Sequence, residues 1–146
     1  MILKDEAETE RAGHQLAAVL RPGDVVALSG PLGVGKTALA RAILRGAGHA
    51  GEVPSPTFAI VQPYDELPLP IWHCDLYRLE DASELEELGL DEVLTEGALL
   101  VEWPERAGAA AWPQALRLFL QFAPDGARGL TGQVPAAWKG RWPLPR

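Results

Sequence analysis

The sequence comprises 146 residues with one cysteine, and 47% of them are hydrophobic, a composition typical of a single globular domain over residues 1–146 and too apolar for a disordered chain. No apolar run reaches the ~18 residues of a membrane-spanning helix, and the charged N-terminus lacks the apolar core of a signal peptide, so we expect a cytoplasmic protein without a membrane partner. The net charge of −7, without any Lys/Arg cluster, argues against a protein that binds tRNA or DNA on its own, because phosphate contacts carry most of that affinity.

The first half of the chain predicts two helices that flank a buried strand. Residues 6–20 carry apolar side chains at helical spacing, and Pro22 and Gly23 should end that helix. Residues 25–28 form a short apolar run, which suits a buried strand. Residues 36–47 again show helical spacing, and the glycines at the end of this segment should terminate the second helix.

The second half predicts mainly strands. Prolines bracket residues 57–62, which should form a loop that leads into a short or edge strand. Residues 71–76 and 98–101 are candidates for buried strands. Leu116–Phe122 alternates apolar and polar side chains, as a strand with one covered face does.

The remaining segments add little regular structure. Asp81 and Glu84 have the spacing of a capping box, so we expect a short helix that Gly89 ends. The segment after Ala123 is rich in Gly and Pro and predicts no clear element. Strands interleaved with helices indicate an α/β fold whose sheet forms the middle layer.

Residues 30–37, Gly-Pro-Leu-Gly-Val-Gly-Lys-Thr, match the phosphate-binding pattern G-x-x-x-x-G-K-[ST] at every position. A loop that wraps a phosphate needs glycines so that successive N–H groups point inward, and the following helix adds free N–H groups and its dipole. Lys36 should supply a cation for the outer phosphates, and Thr37 a hydroxyl for Mg²⁺. Because the pattern arises by chance in such a chain with a probability of about 0.005, we predict a site for a nucleoside triphosphate with magnesium.

Two acidic residues follow predicted buried strands, where a P-loop protein normally holds an acid near the metal. Glu102 follows residues 98–101, and Asp75 lies near the end of residues 71–76. Each is equally well explained as an acid that marks the exposed end of a strand. In a magnesium–nucleotide site Glu102 is favoured as the residue near the metal, because its strand is more uniformly apolar. Asp75 is then the candidate for orienting water or for bridging the metal through water.

Other polar and aromatic residues leave two interpretations open. Thr57 lies on a proline-rich loop and either delivers a hydroxyl to the nucleotide, as a switch does, or caps the local backbone. Trp103 either stacks on a base or a partner, or is a buried tryptophan. The three histidines and Cys74 are scattered and lack metal-ligand spacing, so we expect no zinc site.

The absence of certain motifs from the sequence argues against some classes of P-loop protein. No aspartate has a glycine three residues later, and only three lysines occur, so the GTPase signatures D-x-x-G and Asn-Lys-x-Asp are missing. A small-molecule kinase remains the alternative, because the loop motif does not show whether the phosphoryl group is transferred to water or to another substrate. The absence of an arginine-rich lid segment weighs against a kinase. A protein whose nucleotide hydrolysis changes a partner is the third possibility.

Five motifs occur in an order that is more selective than the P-loop alone. They are residues 30–37, 54–58 (Pro-Ser-Pro-Thr-Phe), 73–79 (His-Cys-Asp-Leu-Tyr-Arg-Leu), 88–92 (Leu-Gly-Leu-Asp-Glu) and 101–106 (Val-Glu-Trp-Pro-Glu-Arg). With this combination the chain resembles, over about residues 7–120, the TsaE family, also called YjeE. These proteins are the bacterial ATPases of tRNA threonylcarbamoyladenosine (t6A) biosynthesis.

The resemblance implies a P-loop NTPase-type three-layer α/β fold with a mixed sheet. It implies ATP and Mg²⁺ as cofactors, and hydrolysis of ATP that is slow without partners. The implied partner is the complex of TsaB and TsaD, which transfers the threonylcarbamoyl group to tRNA and whose repeated turnover the family supports. Contact with tRNA is then indirect, which fits the acidic balance of the chain.

The resemblance also implies roles for individual residues. Lys36 and Thr37 match the phosphate and magnesium contacts. Glu102 matches the second magnesium-associated position, and Asp75 matches a residue needed for hydrolysis, so that the catalytic set is Lys36, Asp75 and Glu102. The nucleotide-contacting set is Thr9, Gly33, Val34, Gly35, Lys36, Thr37, Ala38, Thr57 and Trp103. Two positions depart from the family: Ala38 replaces a second threonine, and Cys74 replaces a common aromatic.

Overall fold

The computed structural model of the chain describes residues 1–53, 61–81, 83–108 and 111–142. The strands in this part are β1 (Ile2–Leu3), β2 (Val25–Ser29), β3 (Val61–Tyr64), β4 (Ile71–Asp75), β5 (Ala98–Glu102), β6 (Leu116–Phe122) and β7 (Arg128–Gln133). The α-helices are α1 (Glu6–Ala17), α2 (Lys36–Gly46), α3 (Glu84–Glu87) and α4 (Leu90–Val93). Among the described residues, no helix is long and apolar enough to cross a membrane.

The described strands form one mixed sheet in the order β1-β7-β6-β2-β5-β4-β3. The central strands β6, β2, β5 and β4 run parallel, whereas β7 and β1 on one side and β3 on the other are antiparallel to their neighbours. Pro63, which has no N–H to donate, lies in β3 at the edge of the sheet. The expected edge strand and the mixed sheet are both confirmed.

Side chains of β2 alternate between two hydrophobic cores, one on each face of the sheet. Val26 and Leu28 belong to the core that α1 and α2 cover. Val25 and Ala27 belong to the core that contains Leu90 of α4 and, at its border, Leu85 of α3. The neighbouring strand β5 is buried along its whole length, as expected for a strand covered on both faces. The three-layer α/β arrangement is therefore confirmed.

The position of α2, which carries the end of the phosphate loop, depends on close packing against α1. A β-carbon at Gly13 of α1 would lie 2.3 Å from the Cβ of Ala42 in α2, so this crossing requires a glycine. Asp5 caps the N-terminus of α1, because its side chain accepts a hydrogen bond of 2.9 Å from the Glu8 N–H. The two helices thus form one support for the loop that precedes α2.

The first helix is shorter than the sequence pattern predicts. It ends at Ala17, whereas we expected helix through residue 20. The N–H groups of Val19 and Leu20 donate to carbonyls only three residues back, which tightens the chain into a turn. The Val19 carbonyl accepts a hydrogen bond of 2.7 Å from Arg141 Nη1. Because Arg141 is far away in the sequence, the local pattern cannot reveal this contact.

The expected capping box does not form. The Asp81 side chain accepts from the Ser83 N–H at 3.0 Å, so it closes a turn ahead of α3 and caps no helix. Gly89, with a φ of 65°, follows the C-cap residue Leu88 and so ends the short helix α3, as expected. It is the N-cap of α4, and α3 and α4 are two short helices that turn about this glycine.

The end of β6 and the segment after it differ most from what the sequence pattern predicts. Leu116, Leu118 and Leu120 are buried as expected, but Phe122 is 56% exposed. The segment after Ala123 contributes β7, which extends the sheet, and a fully buried side chain, Trp138.

A paired charge anchors the C-terminal segment to the turn before β2. The Arg141 guanidinium donates to both carboxylate oxygens of Asp24, at 2.7 and 2.8 Å, and lies 4.1 Å from the centre of a Trp138 ring. The bidentate geometry is the strong form of such a pair. The segment for which the sequence predicted no element therefore closes the core under α1 and α2.

Candidate functional site

The P-loop, residues 30–37, connects the carboxyl end of β2 to the first turn of α2. Gly30, Gly33 and Gly35 have φ angles of 148°, 80° and 113°, which other residues adopt only with strain. At Gly30 the constraint is also steric, because a β-carbon would lie 2.4 Å from the Leu120 carbonyl oxygen of β6. The backbone conformation of the loop therefore requires the glycines of the motif.

The end of the P-loop offers an anion site. Helix α2 begins at Lys36 with Gly35 as its N-cap, and no side chain there accepts from the free N–H groups of the first turn. These N–H groups have no acceptor within the helix, and the helix dipole adds partial positive charge to them. A phosphate group matches both features.

Lys36 is buried, and its ammonium group donates hydrogen bonds to carbonyl groups of the loop. Nζ donates to the carbonyl oxygens of Gly30 at 2.5 Å and Pro31 at 3.0 Å, and lies 4.0 Å from the centre of a Trp103 ring. Burial lowers the pKa of the ammonium group, while three neighbouring carboxylates act in the opposite direction. The site thus combines one cation with an excess of acidic groups, an arrangement that suits a ligand carrying its own metal ion.

A chain of hydrogen bonds runs from the P-loop into the sheet. Thr37 Oγ1 donates to Glu102 Oε1 at 2.7 Å, and the other oxygen, Oε2, lies 2.6 Å from His73 Nε2. An ionised carboxylate only accepts hydrogen bonds, so with Glu102 ionised the donor in this bond is Nε2. Both the glutamate and the histidine are buried. The carboxylate is therefore fixed at both oxygens.

Asp75 ends β4 directly beside Glu102, its partner in the register with β5. The side chain is only 9% exposed, and burial raises the pKa of its carboxyl group, with the charge of Glu102 acting in the same direction. One oxygen, Oδ1, accepts from the Tyr77 N–H at 2.9 Å. The carboxyl ends of the parallel strands β4 and β5 thus present two acids to the same edge of the sheet as the P-loop.

Trp103 lies beside the P-loop, and the structure agrees with its interpretation as a tryptophan that packs against the core. It is partly buried against the core under α3 and α4, and its indole also faces the Lys36 ammonium group. Its φ of 58° is uncommon for a residue other than glycine, and its ring packs against Tyr77 with a centroid distance of 5.0 Å. This tryptophan forms one wall of the cavity beside the P-loop.

Two cavities meet at Gly35 and Ala38 of the P-loop and α2. The smaller, of about 290 Å³, is lined by Leu32, Gly33, Gly35, Lys36, Thr37, Ala38, Asp75, Glu102 and Trp103. The larger, of about 510 Å³, is lined by Leu3, Asp5, Glu6, Thr9, Glu10, Val34, Gly35, Ala38, Leu39, Arg41, Arg45, Leu120, Gly126 and Arg128. Together they place both predicted acids beside the P-loop, and Thr9 beside Ala38 in the adjoining space.

Thr57 lies outside the described residues, so the structure does not address its expected role. The other residues expected at the site all line one of the two cavities. Sequence reasoning missed His73 and Arg128. His73 carried a usable signal, because it precedes Asp75 by two residues in an apolar strand, and side chains two apart share a face. Arg128 carried none, because its contact with the P-loop spans 94 residues of sequence.

The donors beside the P-loop fit a magnesium ion that also binds phosphate. Mg²⁺ takes oxygen ligands and is usually bound by one or two protein groups together with substrate phosphates, which matches the Thr37 hydroxyl and the Glu102 carboxylate. Among the described residues there is no group of three or more His, Cys, Asp and Glu side chains suited to a metal ion.

Replacing His73 with phenylalanine should raise the Mg²⁺ concentration needed for half-maximal nucleotide binding by about tenfold. The variant leaves Glu102 Oε2 without its buried donor, so the carboxylate loses its fixed orientation. His73→Gln, which keeps an N–H donor, should recover part of the loss. Titration of Mg²⁺ against a fluorescent nucleotide measures the effect.

His49→Phe is the matched control, because His49 also bonds a carboxylate, that of Glu66 at 3.0 Å, away from both cavities. The control should keep the Mg²⁺ requirement of the wild type. Nucleotide affinity measured in EDTA should be unchanged in all three variants. An unchanged Mg²⁺ requirement in folded His73→Phe would show that the histidine does not orient Glu102.

Comparison with known proteins places the chain among proteins of one pathway. A family model described as "Threonylcarbamoyl adenosine biosynthesis protein TsaE" matches residues 3–129. The tRNA threonylcarbamoyladenosine biosynthesis protein TsaE of Bacillus subtilis is 39% identical over 125 residues, which are 85% of this chain and 78% of that protein. The TsaE protein of Rickettsia bellii is 44% identical over 105 residues, 71% of this chain and 73% of that protein.

A solved structure agrees with these matches. The crystal structure of Bacillus subtilis YdiB superposes on this chain with a TM-score of 0.81 at 31% sequence identity. The match covers 97% of this chain and 88% of YdiB. Fold and sequence therefore indicate the same relatives.

Proposed function

Because the chain belongs to the TsaE family of tRNA threonylcarbamoyladenosine biosynthesis proteins, we propose that it is a magnesium-dependent ATPase of that pathway, which supports repeated turnover of the TsaB–TsaD complex. The observation that carries the ATPase proposal is the 2.7 Å hydrogen bond between Thr37 and Glu102. It joins the P-loop to a buried carboxylate in a cavity that also contains Asp75, and this proximity supports proposed phosphate, metal and water sites that adjoin one another.

Most of the residues that line the smaller cavity have a role in this proposal. The N–H groups of Gly33 and Gly35 and of the first turn of α2 bind the phosphates, whereas the Val34 N–H donates to the Pro31 carbonyl at 3.2 Å within the loop. Lys36 exchanges its loop carbonyls for the outer phosphate oxygens, which are the stronger acceptors because they are charged. Thr37 and Glu102 would hold Mg²⁺, which when bound would neutralise charge that develops on the transferred phosphoryl group.

Asp75 is proposed to orient the attacking water. Its Oδ1 is held by the Tyr77 N–H, and that bond leaves Oδ2 to accept from water beside the terminal phosphate. Trp103 covers this side of the site through its contact with Lys36. Thr57, outside the described residues, is proposed as a further hydroxyl that contacts the nucleotide.

The larger cavity is proposed to bind the nucleoside. Its volume of about 510 Å³ is in the range of small-molecule sites, and it adjoins the P-loop at Gly35. Thr9 also lines this cavity and donates at 3.4 Å to the Asp5 carbonyl, so its hydroxyl oxygen remains an acceptor for the nucleotide.

The proposal extends to the whole chain and its surroundings. We propose one ATPase domain over residues 1–146, in the cytoplasm, where the tRNA substrate of TsaB–TsaD is found. The net charge of −7 favours contact with tRNA through partners over direct binding.

The ATPase rate with and without purified TsaB–TsaD complex tests the function. We expect slow hydrolysis by the chain alone, and a rate at least severalfold higher with the complex. Co-purification with the complex should require ATP and Mg²⁺, with EDTA as the negative control. A chain that hydrolyses no ATP and forms no ATP-dependent complex, but transfers phosphate to a small acceptor, would be the kinase that the P-loop alone also allows.

A further inference from the structure

Arg128 contacts the P-loop from β7, a strand that contributes no other residue to the proposed site. Its Nε donates to the Val34 carbonyl oxygen at 2.8 Å. Its Nη1 donates to the carbonyl of Gly126 at 2.9 Å and lies 3.3 Å from that of Ala127. The guanidinium also lies over the Phe122 ring, with its central carbon 4.9 Å from the ring centre. These contacts fix the guanidinium in one orientation.

The sheet brings Arg128 to the edge where the P-loop begins. Arg128 is the first residue of β7 and pairs with Phe122 at the end of β6 and with Leu3 of β1. The same end of β6 approaches the loop closely, since its Leu120 carbonyl leaves no room for a side chain at Gly30. The strands β6 and β7 therefore support the loop on the side opposite the acids of β4 and β5.

The bond to Val34 constrains the peptide group that Val34 shares with Gly35. A peptide group is planar and trans, so its C=O and N–H point in opposite directions. Holding the Val34 carbonyl toward Arg128 directs the Gly35 N–H away from Arg128. Gly35 has a φ of 113°, a conformation that glycine adopts without strain. Because glycine has this freedom, its backbone would reorient more easily without the hydrogen bond from Arg128 to Val34.

We propose that Arg128 is a positioning residue for phosphate binding, which orients the Gly35 N–H through the Val34 carbonyl. The inference rests on the proposed function, since it requires a nucleotide in the P-loop. A charged donor also polarises the peptide group and makes its N–H a stronger donor to phosphate. Arg128 also places a positive charge next to the loop, outside the position proposed for the phosphates.

Dissociation constants for ATP, GTP and ITP test the proposal, with Arg128→Ala and Arg128→Lys compared with the wild type. Arg128→Ala should weaken binding of all three by about tenfold, the effect of one charge-assisted hydrogen bond. The loss should be equal because the phosphates are common to all three. Arg128→Lys should lose less, since lysine keeps the charge but lacks the fork that reaches Val34 and Gly126 together.

Arg117→Ala is the matched control. Arg117 lies on β6, is partly buried, and also donates from its guanidinium to two backbone carbonyls, those of Ala111 at 2.8 Å and Trp112 at 3.4 Å. Neither cavity includes it. The control should keep wild-type affinity for all three nucleotides, even where its melting temperature falls as much as that of Arg128→Ala.

The outcomes separate this inference from the proposed function. Affinity within twofold of wild type in Arg128→Ala, or an equal loss in Arg117→Ala, would overturn the positioning role. A loss confined to ATP would also overturn it, because Arg128 would then contact the base directly in the larger cavity that it lines. If the wild-type chain binds none of the nucleotides, it is the proposed function that fails.

Discussion

Lys36→Ala should abolish nucleotide hydrolysis, with a loss of at least about 100-fold in rate. The reason is electrostatic, because Lys36 is the cation of the smaller cavity, where Asp75 and Glu102 add negative charge. Without the ammonium group, the charge that develops on the outer phosphates loses its stabilising partner. Single-turnover hydrolysis of radiolabelled ATP, with saturating Mg²⁺, measures the rate.

The chain offers a simple control for this variant. Lys139 is exposed and far from the P-loop in sequence, so Lys139→Ala should hydrolyse ATP at the wild-type rate. Both variants should remain folded, and a thermal melt of each variant checks this. A folded Lys36→Ala protein with the wild-type rate would show that the catalytic site lies elsewhere.

The parts of the site that the sequence predicted are those whose geometry is local. The P-loop is defined by eight consecutive residues, and its glycines are required by backbone conformation alone. Asp75 and Glu102 were predictable because each ends an apolar strand, and parallel strands place their carboxyl ends at one edge of the sheet. Their pairing in the sheet required knowledge of the strand order.

The parts that the sequence did not predict depend on distant pairings. His73 reaches Glu102 from a neighbouring strand, and a period-2 pattern shows which face a residue occupies but not what stands across from it. Arg141 pairs with Asp24 across 117 residues of sequence. Asp81 illustrates the opposite failure, because its short-range spacing suits both a capping box and the turn that it forms.

Isosteric variants can distinguish the role of Glu102 from that of Asp75. Glu102→Gln keeps an oxygen that accepts from Thr37 but removes the charge, so it should raise the Mg²⁺ requirement of ATP binding by about tenfold or more. Asp75→Asn keeps an oxygen for the Tyr77 N–H, so it should preserve nucleotide and Mg²⁺ affinity within about threefold. Its hydrolysis rate should fall by about 100-fold, because a neutral amide is a poor acceptor for the proton of an attacking water.

The pH profile provides an independent measure of Asp75. Burial raises the pKa of this carboxyl group, and its ionised form is the one that orients water. Wild-type hydrolysis should therefore decline as the pH falls, beginning above the range of an exposed aspartate, whereas Asp65→Asn, at an exposed position, should leave the profile unchanged. Equal Mg²⁺ dependence in Glu102→Gln and Asp75→Asn, with turnover lost in both, would contradict the division of roles. The two acids would then act as one unit, which their adjacent positions in the β4–β5 register also permit.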